Sequence, residues 1–571
     1  MGVSQQGSKS HHIKRIFVTF AKTVLPLVCY PSLAQDACTI FTVPGTSDFD
    51  ISSVPDPAQG YVMPADAVVS NIVYTRLPIF NAEDPKENNR LFQLVDFLHI
   101  DTQERVIEDQ LLFKEGAPIN NRLMEEAARE LRQVNFLYDA RIWPYRICGN
   151  QVDIEVVTRE VWTITGGFSF TRSGGSDEDS ISISDDNFLG RGETLAFSRT
   201  SSTDRDGFQA QYFDPSVAGS RYTLNLFHAD NDDGGRDEVE IERPFFSLDT
   251  RHAWSLNWIT DERSIDLYER GEEIAAFQSE AEDARIYYGF SEGWSSNSTA
   301  RWFVGWQNHK EIFHPDPGEP LPAVFPTDRE YNYPYIAYQS IHEDFIQTTN
   351  LNQIHRIEDF NLGQSWSATL GYASESYGSD LDRIVYGANY RDAWQWDHRL
   401  LQWNFSFNGL WQTDIHDYED LLVESNLRYY DGLDKKNGTY LALDMRYTRN
   451  RPVDKQLLMG AEENLRGYPA RYQDGDRSFV FSAEHRYYTD WHLFRLLRIG
   501  GAVFLDVGRA WFPSEENDNT TGILADAGFG LRIASSRAQT KRVLHIDVAF
   551  PFEKFDDVDS VQVLISGKQS F

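Results

Sequence analysis

"GAVFLDVG", residues 501–508, decides the fold. Side chains alternate across a strand, so Val503, Leu505 and Val507 share one face, and Phe504, Asp506 and Gly508 share the other. A carboxylate in such an apolar strand needs water or a cation on its side. Neighbouring segments repeat the pattern. In "SFVFSAEHRYY" (478–488), Phe479, Phe481 and Tyr487 oppose Ser482, Glu484 and Arg486. In "VLHIDVAF" (543–550), Leu544, Ile546, Val548 and Phe550 oppose His545 and Asp547. The closing "SVQVLISGKQSF" (560–571) sets Val561, Val563 and Ile565 against Ser560, Gln562 and Ser566, with Leu564 as the one break and Phe571 last. A membrane barrel and a soluble sandwich both alternate in this way, so the period alone leaves the two open.

Composition and the N-terminus favour the barrel. The 571 residues carry a formal charge of −34, which repels phosphate and argues against a nucleic-acid partner. Aromatics reach 14%, with 27 Tyr, 37 Phe and 14 Trp, as expected of a barrel with aromatic girdles. Lys14 and Arg15 precede "IFVTFAKTVLPLVCY", and Ser32 and Ala34 close a small-residue cleavage site. This reads as a secretory signal over 1–34, cut after Ala34. The competing reading, a membrane anchor, meets Lys22 and Pro26 within a short run. Cys38 is not the first residue after the cut, which disfavours a lipidated cysteine. Cys38 and Cys148 remain, able to form one disulfide in an oxidising compartment. No later segment is apolar over about 18 residues, so helical spans are not expected.

The rest divides by period. Residues 35–66 are rich in Pro, Asp, Ser and Gly and read as a linker. Residues 67–165 mix periods: "SNIVYTRLPIF" and "LVDFLHI" read as strands. A helix follows with Asp101 or Thr102 as N-cap, then another with Leu123, Ala127, Leu131 and Val134 near one face. "YDARIWPYRI" and "QVDIEVVTREVWTI" read as two more strands. A small sheet of this kind leaves an edge to which an extended segment can add. From 166 to 571 helical periodicity is gone, and short aromatic strands alternate with turns and acidic loops such as "SGGSDED", "ADNDDGGRDE", "HPDPGEP" and "SEENDNTTG". About 400 residues leave room for roughly sixteen strands of a transmembrane antiparallel β-barrel. The fold class expected is thus mainly β: a barrel preceded by a small α+β domain.

Parity puts Glu484, Asp506 and Asp547 inside the barrel, where they need a cation or water. "ENLRGYPARY" (463–472) supplies one. Gly467 permits a tight turn, Tyr468 is placed to pack beside the guanidinium, and a loop folded into the lumen would bring Arg466 to Asp506 as a bidentate pair.

These words resemble the Omp85 superfamily, the BamA/TamA-type outer-membrane assembly barrels and bacterial surface antigens. "LRGY" is similar to the tip of the family's inward loop, and "FLDVGRAW" to the strand whose aspartate receives that arginine. "NFLGRGE" (187–193) and "DPSVAGSRY" (214–222) resemble its first hairpin and following strands. "HIDVAFPF" and "VLISGKQSF" resemble its penultimate strand and terminal insertion signal, here Val561, Val563, Ile565 and Phe571. "LHIDTQERVIEDQLLFKEG", "LMEEAARELRQVNFLYDARI" and "VDIEVVTREVWTI" resemble a single POTRA domain; no plug helix is identifiable. The resemblance implies about sixteen strands and a lumen lock of Arg466, Gly467, Tyr468, Asp506, Gly508 and Glu484. It also implies a weak seam between first and last strands, in a Gram-negative outer membrane with the POTRA domain in the periplasm. Its partners would be unfolded outer-membrane or secreted proteins, outer-membrane lipid, and periplasmic or lipoprotein factors.

Chemistry is not the expected role. His545 and Asp547 share a face, but no G-x-S-x-G accompanies them, and no P-loop or metal set calls for a cofactor. "DNDDGG" (230–235) lacks the ligand spacing of an EF-hand loop and reads as a solvated hairpin. Assembly or translocation of proteins is the function expected. A secretion pore dedicated to one partner and a passive surface barrel are the alternatives.

Overall fold

The computed structural model describes residues 38–41, 62–81, 83–202, 205–513, 521–538 and 542–568. The signal segment 1–34, most of the linker 35–66, and Phe571 lie outside these residues.

A small α+β unit comes first. Its sheet runs in the order Thr39–Ile40, Leu137–Cys148, Gln151–Glu160, Val68–Leu77. The pairs are antiparallel except the last, which is parallel. Three helices accompany it: α1 (Arg90–Leu98), α2 (Glu104–Gln110) and α3 (Asn121–Gln133). Val106, Ile107, Met124, Ala127 and Leu131 pack on Val69, Ile142, Val152 and Ile154 as one buried core. Cys38 and Cys148 are disulfide-bonded, holding Thr39–Ile40 beside Arg146 and Ile147.

Two local expectations fail here. "LVDFLHI" is largely helical, not a strand, because the Asn89 side chain accepts the N–H groups of Leu91 and Phe92 and starts α1. Neither Asp101 nor Thr102 caps α2; Gln103 precedes it without a side-chain cap. The Thr102 hydroxyl donates instead to Glu160, at 2.8 Å.

Among the described residues, twenty strands close into one antiparallel barrel, running from Ile164–Ser173 to Gln562–Lys568. This corrects the sixteen implied by resemblance. The reason is economy of turns: residues 164–243 alone hold six strands, joined at 174–175 and 232–233 by pairs of residues. Much of "SGGSDED" and "ADNDDGGRDE" is therefore strand and turn, not loop.

The strands alternate as their sequences do. Trp258, Ile286, Trp302, Ile336, Val503 and Phe529 are exposed on the outside. Glu484, Arg486, Asp506, Arg532 and Asp547 are buried in the lumen. An exposed apolar wall around a charged interior is the inverse of a soluble protein and matches lipid outside. Leu564, the break in the last strand, also faces inward, where it packs with Ala461, Phe504 and Ala549.

The two ends of the barrel differ. The α+β unit packs against the connections at one end, called inner here; Gly190 accepts from Gln103, and Arg122 pairs with Asp249. The long connection 450–476 belongs to the outer end.

Val503 is 57% exposed at mid-strand on this wall. Arginine there should cost about 2–4 kcal/mol if the wall meets the bilayer midplane. Urea titration of the vesicle-reconstituted barrel measures it; a Val503→Arg midpoint equal to the parent would mean the face is not in lipid.

Candidate functional site: a charged box in the lumen

The connection 450–476 folds back into the barrel. Leu465, Tyr468 and Tyr472 are fully buried there with Val480, Ala510 and Leu524. Burial of each such side chain contributes roughly 1.5–3 kcal/mol toward holding the loop inside.

Arg466 sits at the loop's tip. Its Nε and Nη2 donate to the two oxygens of Asp506, at 2.7 and 2.9 Å. Nη1 donates to Glu484 at 2.7 Å and to Asp547 at 3.4 Å. The guanidinium carbon lies 3.5 Å from the centroid of Phe504. Three strands thus supply carboxylates, and one of them also supplies a ring face, to a single cation.

The neighbours complete the box. Arg486 donates to Glu484 at 2.9 Å, and Arg532 pairs with Asp547. Glu484 therefore bridges Arg466 and Arg486. Asp526 faces Asp506 in register across the adjoining strands. It and Arg532 escaped the sequence reading, although "ADAGFGLR" (525–532) carries both on one parity with Gly528 and Gly530.

Two expected roles change. Gly467 is needed for close approach: a Cβ there would lie 2.5 Å from that of Asp526. Tyr468 does not stack on the guanidinium, a place taken by Phe504. Its hydroxyl donates to the Ala525 carbonyl at 2.9 Å, and its ring stacks on Tyr472. Gly508 lies under Leu465, within 3.3 Å of both its methyls for an added Cβ. Of the expected terminal-strand residues, Val561 is exposed just before the last strand, Val563 is exposed on it, and Ile565 is half-buried; none belongs to the charged box. Burial pushes the Glu463 carboxyl, on the same loop, up to about 7; Glu462 acts in the same direction and Arg446 against it.

The inner mouth is filled as well, by a hairpin no sequence feature had marked. Phe345–Thr349 pairs with Ile357–Asn361, and the Glu358 carboxylate gathers the N–H groups of Leu351, Asn352 and Gln353 at its tip. Leu351 packs with Leu400, Tyr430 and Tyr440, and Ile354 with Tyr488, Ala534 and Val543. The hairpin's other side meets the α+β unit. Arg132 grips both oxygens of Asp359 at 2.6 Å, Arg129 pairs with Glu343, and Arg356 donates to the Tyr138 carbonyl.

The site is thus a closed β-barrel with an apolar outer wall, whose lumen captures an arginine from a folded-back loop. Residues 423–567 match the Omp85 superfamily domain. Three solved structures are similar. The structure of BamA from Haemophilus ducreyi lacking POTRA domains 1–3 shares 14% identity, with coverage of 87% of this chain and 84% of that one and a TM-score of 0.36. CdiB from Acinetobacter baumannii shares 13%, with coverage of 87% and 73% and a TM-score of 0.41. CdiB from Escherichia coli shares 12%, with coverage of 88% and 76% and a TM-score of 0.46. No curated protein matches the chain.

Removing Arg466 takes from buried Asp506 its bidentate partner, while Glu484 keeps Arg486 and Asp547 keeps Arg532. Arg466→Ala should destabilise the folded-back loop by about 3–5 kcal/mol, and Arg466→Lys should restore only part of that by losing the bidentate grip. Protease cutting within 450–476 should rise in the order parent, Lys, Ala; equal cutting in all three would contradict the role given to the guanidinium.

Proposed function

We propose that this protein inserts or translocates polypeptides at the outer membrane of a Gram-negative cell, using its barrel seam, with the α+β unit acting as a periplasmic POTRA domain that receives unfolded clients. The observation that carries the reading is the seam itself. Among the described residues, the first and last strands share one registered pair, Ile565 with Arg172. Neighbouring pairs elsewhere in the barrel run to seven or more, the shortest being Tyr335–Ile341 on Ser365–Gly371 and Val543–Ala549 on Gln562–Lys568. A ladder this thin leaves backbone groups that an incoming strand can satisfy, in a setting where each unmet group costs several kcal/mol. Strand pairing and lipid burial then drive the step, with no cofactor and no covalent chemistry.

The α+β unit constrains where a client can add. The edge of Leu137–Cys148 is already used. Thr39–Ile40 pairs with one end of it, Phe41 donates to Tyr145, Arg132 to Ala140 and Arg356 to Tyr138. Val68–Leu77 is the opposite edge of the same sheet, and its far half is the place for an added client strand.

A secretion pore dedicated to one partner is the second reading. A lumen occupied from both ends, by the loop around Arg466 and by the hairpin 345–361, favours traffic at the seam over traffic through the lumen. The two separate by experiment. Cysteines at the paired positions, Arg172→Cys with Ile565→Cys, should stop assembly of other outer-membrane proteins when oxidised and allow it when the seam bond is absent. Normal outer-membrane composition with the seam locked would refute insertion there. Deleting residues 350–356 should raise single-channel conductance in planar bilayers; a deletion with parental conductance would show that this hairpin does not obstruct the lumen.

A further inference from the structure

Helix α1 carries an apolar face that is left exposed among the described residues. Leu91, Leu94, Phe97 and Leu98 are 63%, 51%, 83% and 54% exposed. At the helical period they fall within an arc of about 120°. The opposite side is firmly held. Phe92 is buried and stacks on Phe80 with ring centroids 4.0 Å apart, beside Leu496. A folded unit that anchors one face of a nine-residue helix this well, and leaves four large apolar residues bare on the other, has placed them against something.

The helix's position says what. Near its start, Asp84 pairs with Arg495, and Arg537 meets Glu87 and the Ile79 carbonyl. These arginines belong to the inner connections that follow Arg477–Leu493 and Leu524–Ser535. Just beyond its end, Gln103 donates to the Gly190 carbonyl, in the connection before Glu193–Ser202. In barrel order the strands between those contacts are Val543–Pro551, Gln562–Lys568, Ile164–Ser173 and Ser176–Phe188. So α1 runs along the inner rim beneath the seam. The same rim bears Trp491, Phe494 and Leu189, exposed at 65%, 80% and 51%. The apolar face of α1 thus continues the lipid-facing wall at the level where a bilayer's headgroups would lie, the depth at which amphipathic helices settle.

We propose that α1 lies in the headgroup layer of the inner leaflet beneath the seam, with Leu91, Leu94, Phe97 and Leu98 in the acyl boundary. The partner is a phospholipid surface. Arg90 falls within the same arc and is exposed, placed to reach a headgroup phosphate while its stem stays in the apolar layer. The α+β unit would then be held against the leaflet that a client strand must enter. This rests on the barrel being a membrane span.

The test uses the full chain carrying Cys29→Ser, with Cys38–Cys148 left oxidised, in phosphatidylethanolamine–phosphatidylglycerol vesicles. An environment-sensitive dye is attached singly at Phe97→Cys, at Val503→Cys on the wall, and at Glu104→Cys, which is exposed at the start of α2. The dye at 97 should be quenched by spin-labelled lipid to an extent comparable with the dye at 503, and shielded from iodide relative to the dye at 104. Iodide quenching at 97 equal to that at 104, with 503 still quenched by lipid, would overturn the proposal while leaving the membrane span intact. Shielding at 97 without lipid quenching, or only after a client polypeptide is added, would assign the face to protein and overturn it too. Loss of lipid quenching at 503 would instead remove the span on which the proposal rests.

Discussion

One guanidinium holds the outer half of this protein together. Arg466 is delivered to the barrel wall by a loop whose own backbone has little reason to enter a lumen. It stays because Asp506 has been withdrawn from water and is met by its two-pronged grip, and because Glu484 and Asp547, which Arg486 and Arg532 also hold, turn toward it from two further strands. The dependence runs both ways. Carboxylates at these positions would be costly in an unfilled barrel, and a buried arginine would be costly without them. Gly467 and Gly508 are the steric side of the same bargain: one lets the loop backbone come up against Asp526, the other lets Leu465 lie flat on the wall.

The inner half is organised differently. No single ion decides it; a layer of arginines on α3 and on the hairpin 345–361 ties the α+β unit to the barrel mouth. Arg129, Arg132 and Arg356 each reach across from one body to the other. The hairpin is bonded on one face and packed on the other, so it serves as a washer between domain and barrel. A chain with so large an excess of acid can afford few free arginines, and these are committed to acidic or carbonyl oxygens.

Much of this was legible in the sequence because a strand records its surroundings at every second residue. Parity puts Asp506, Glu484 and Asp547 on the face opposite the apolar one, composition and the N-terminus make that face a lumen, and the arginine that answers them stands in a segment that reads as a loop between two strands. Leu564 looked like an error in that record and turned out to obey it, since the lumen next to Phe504 and Ala461 is apolar at that point. What parity cannot report is how many strands fit: two-residue turns leave little trace when acidic residues run through them, and the barrel came out larger than its resemblance implied. The hairpin at 345–361 and helix α1 were missed for another reason. Their identity is fixed by contacts with remote partners, and by one side-chain cap at Asn89, which a window of local sequence does not weigh.

The folded-back loop touches more than its carboxylates. Four residues past Arg466, the Ala470 amide donates to the carbonyl of Gly174 at 2.8 Å, in the turn that joins the barrel's first two strands. Any side chain at Gly174 would collide with the backbone of residues 468–470. One short stretch of chain therefore has a grip on both lips: its arginine on the strands leading up to the last, its amide on the strands that begin the barrel. It works as a hasp. Parting the first and last strands by more than a small distance requires one grip to let go, which couples the width of the gap to the state of the loop without any element that spans the membrane between them.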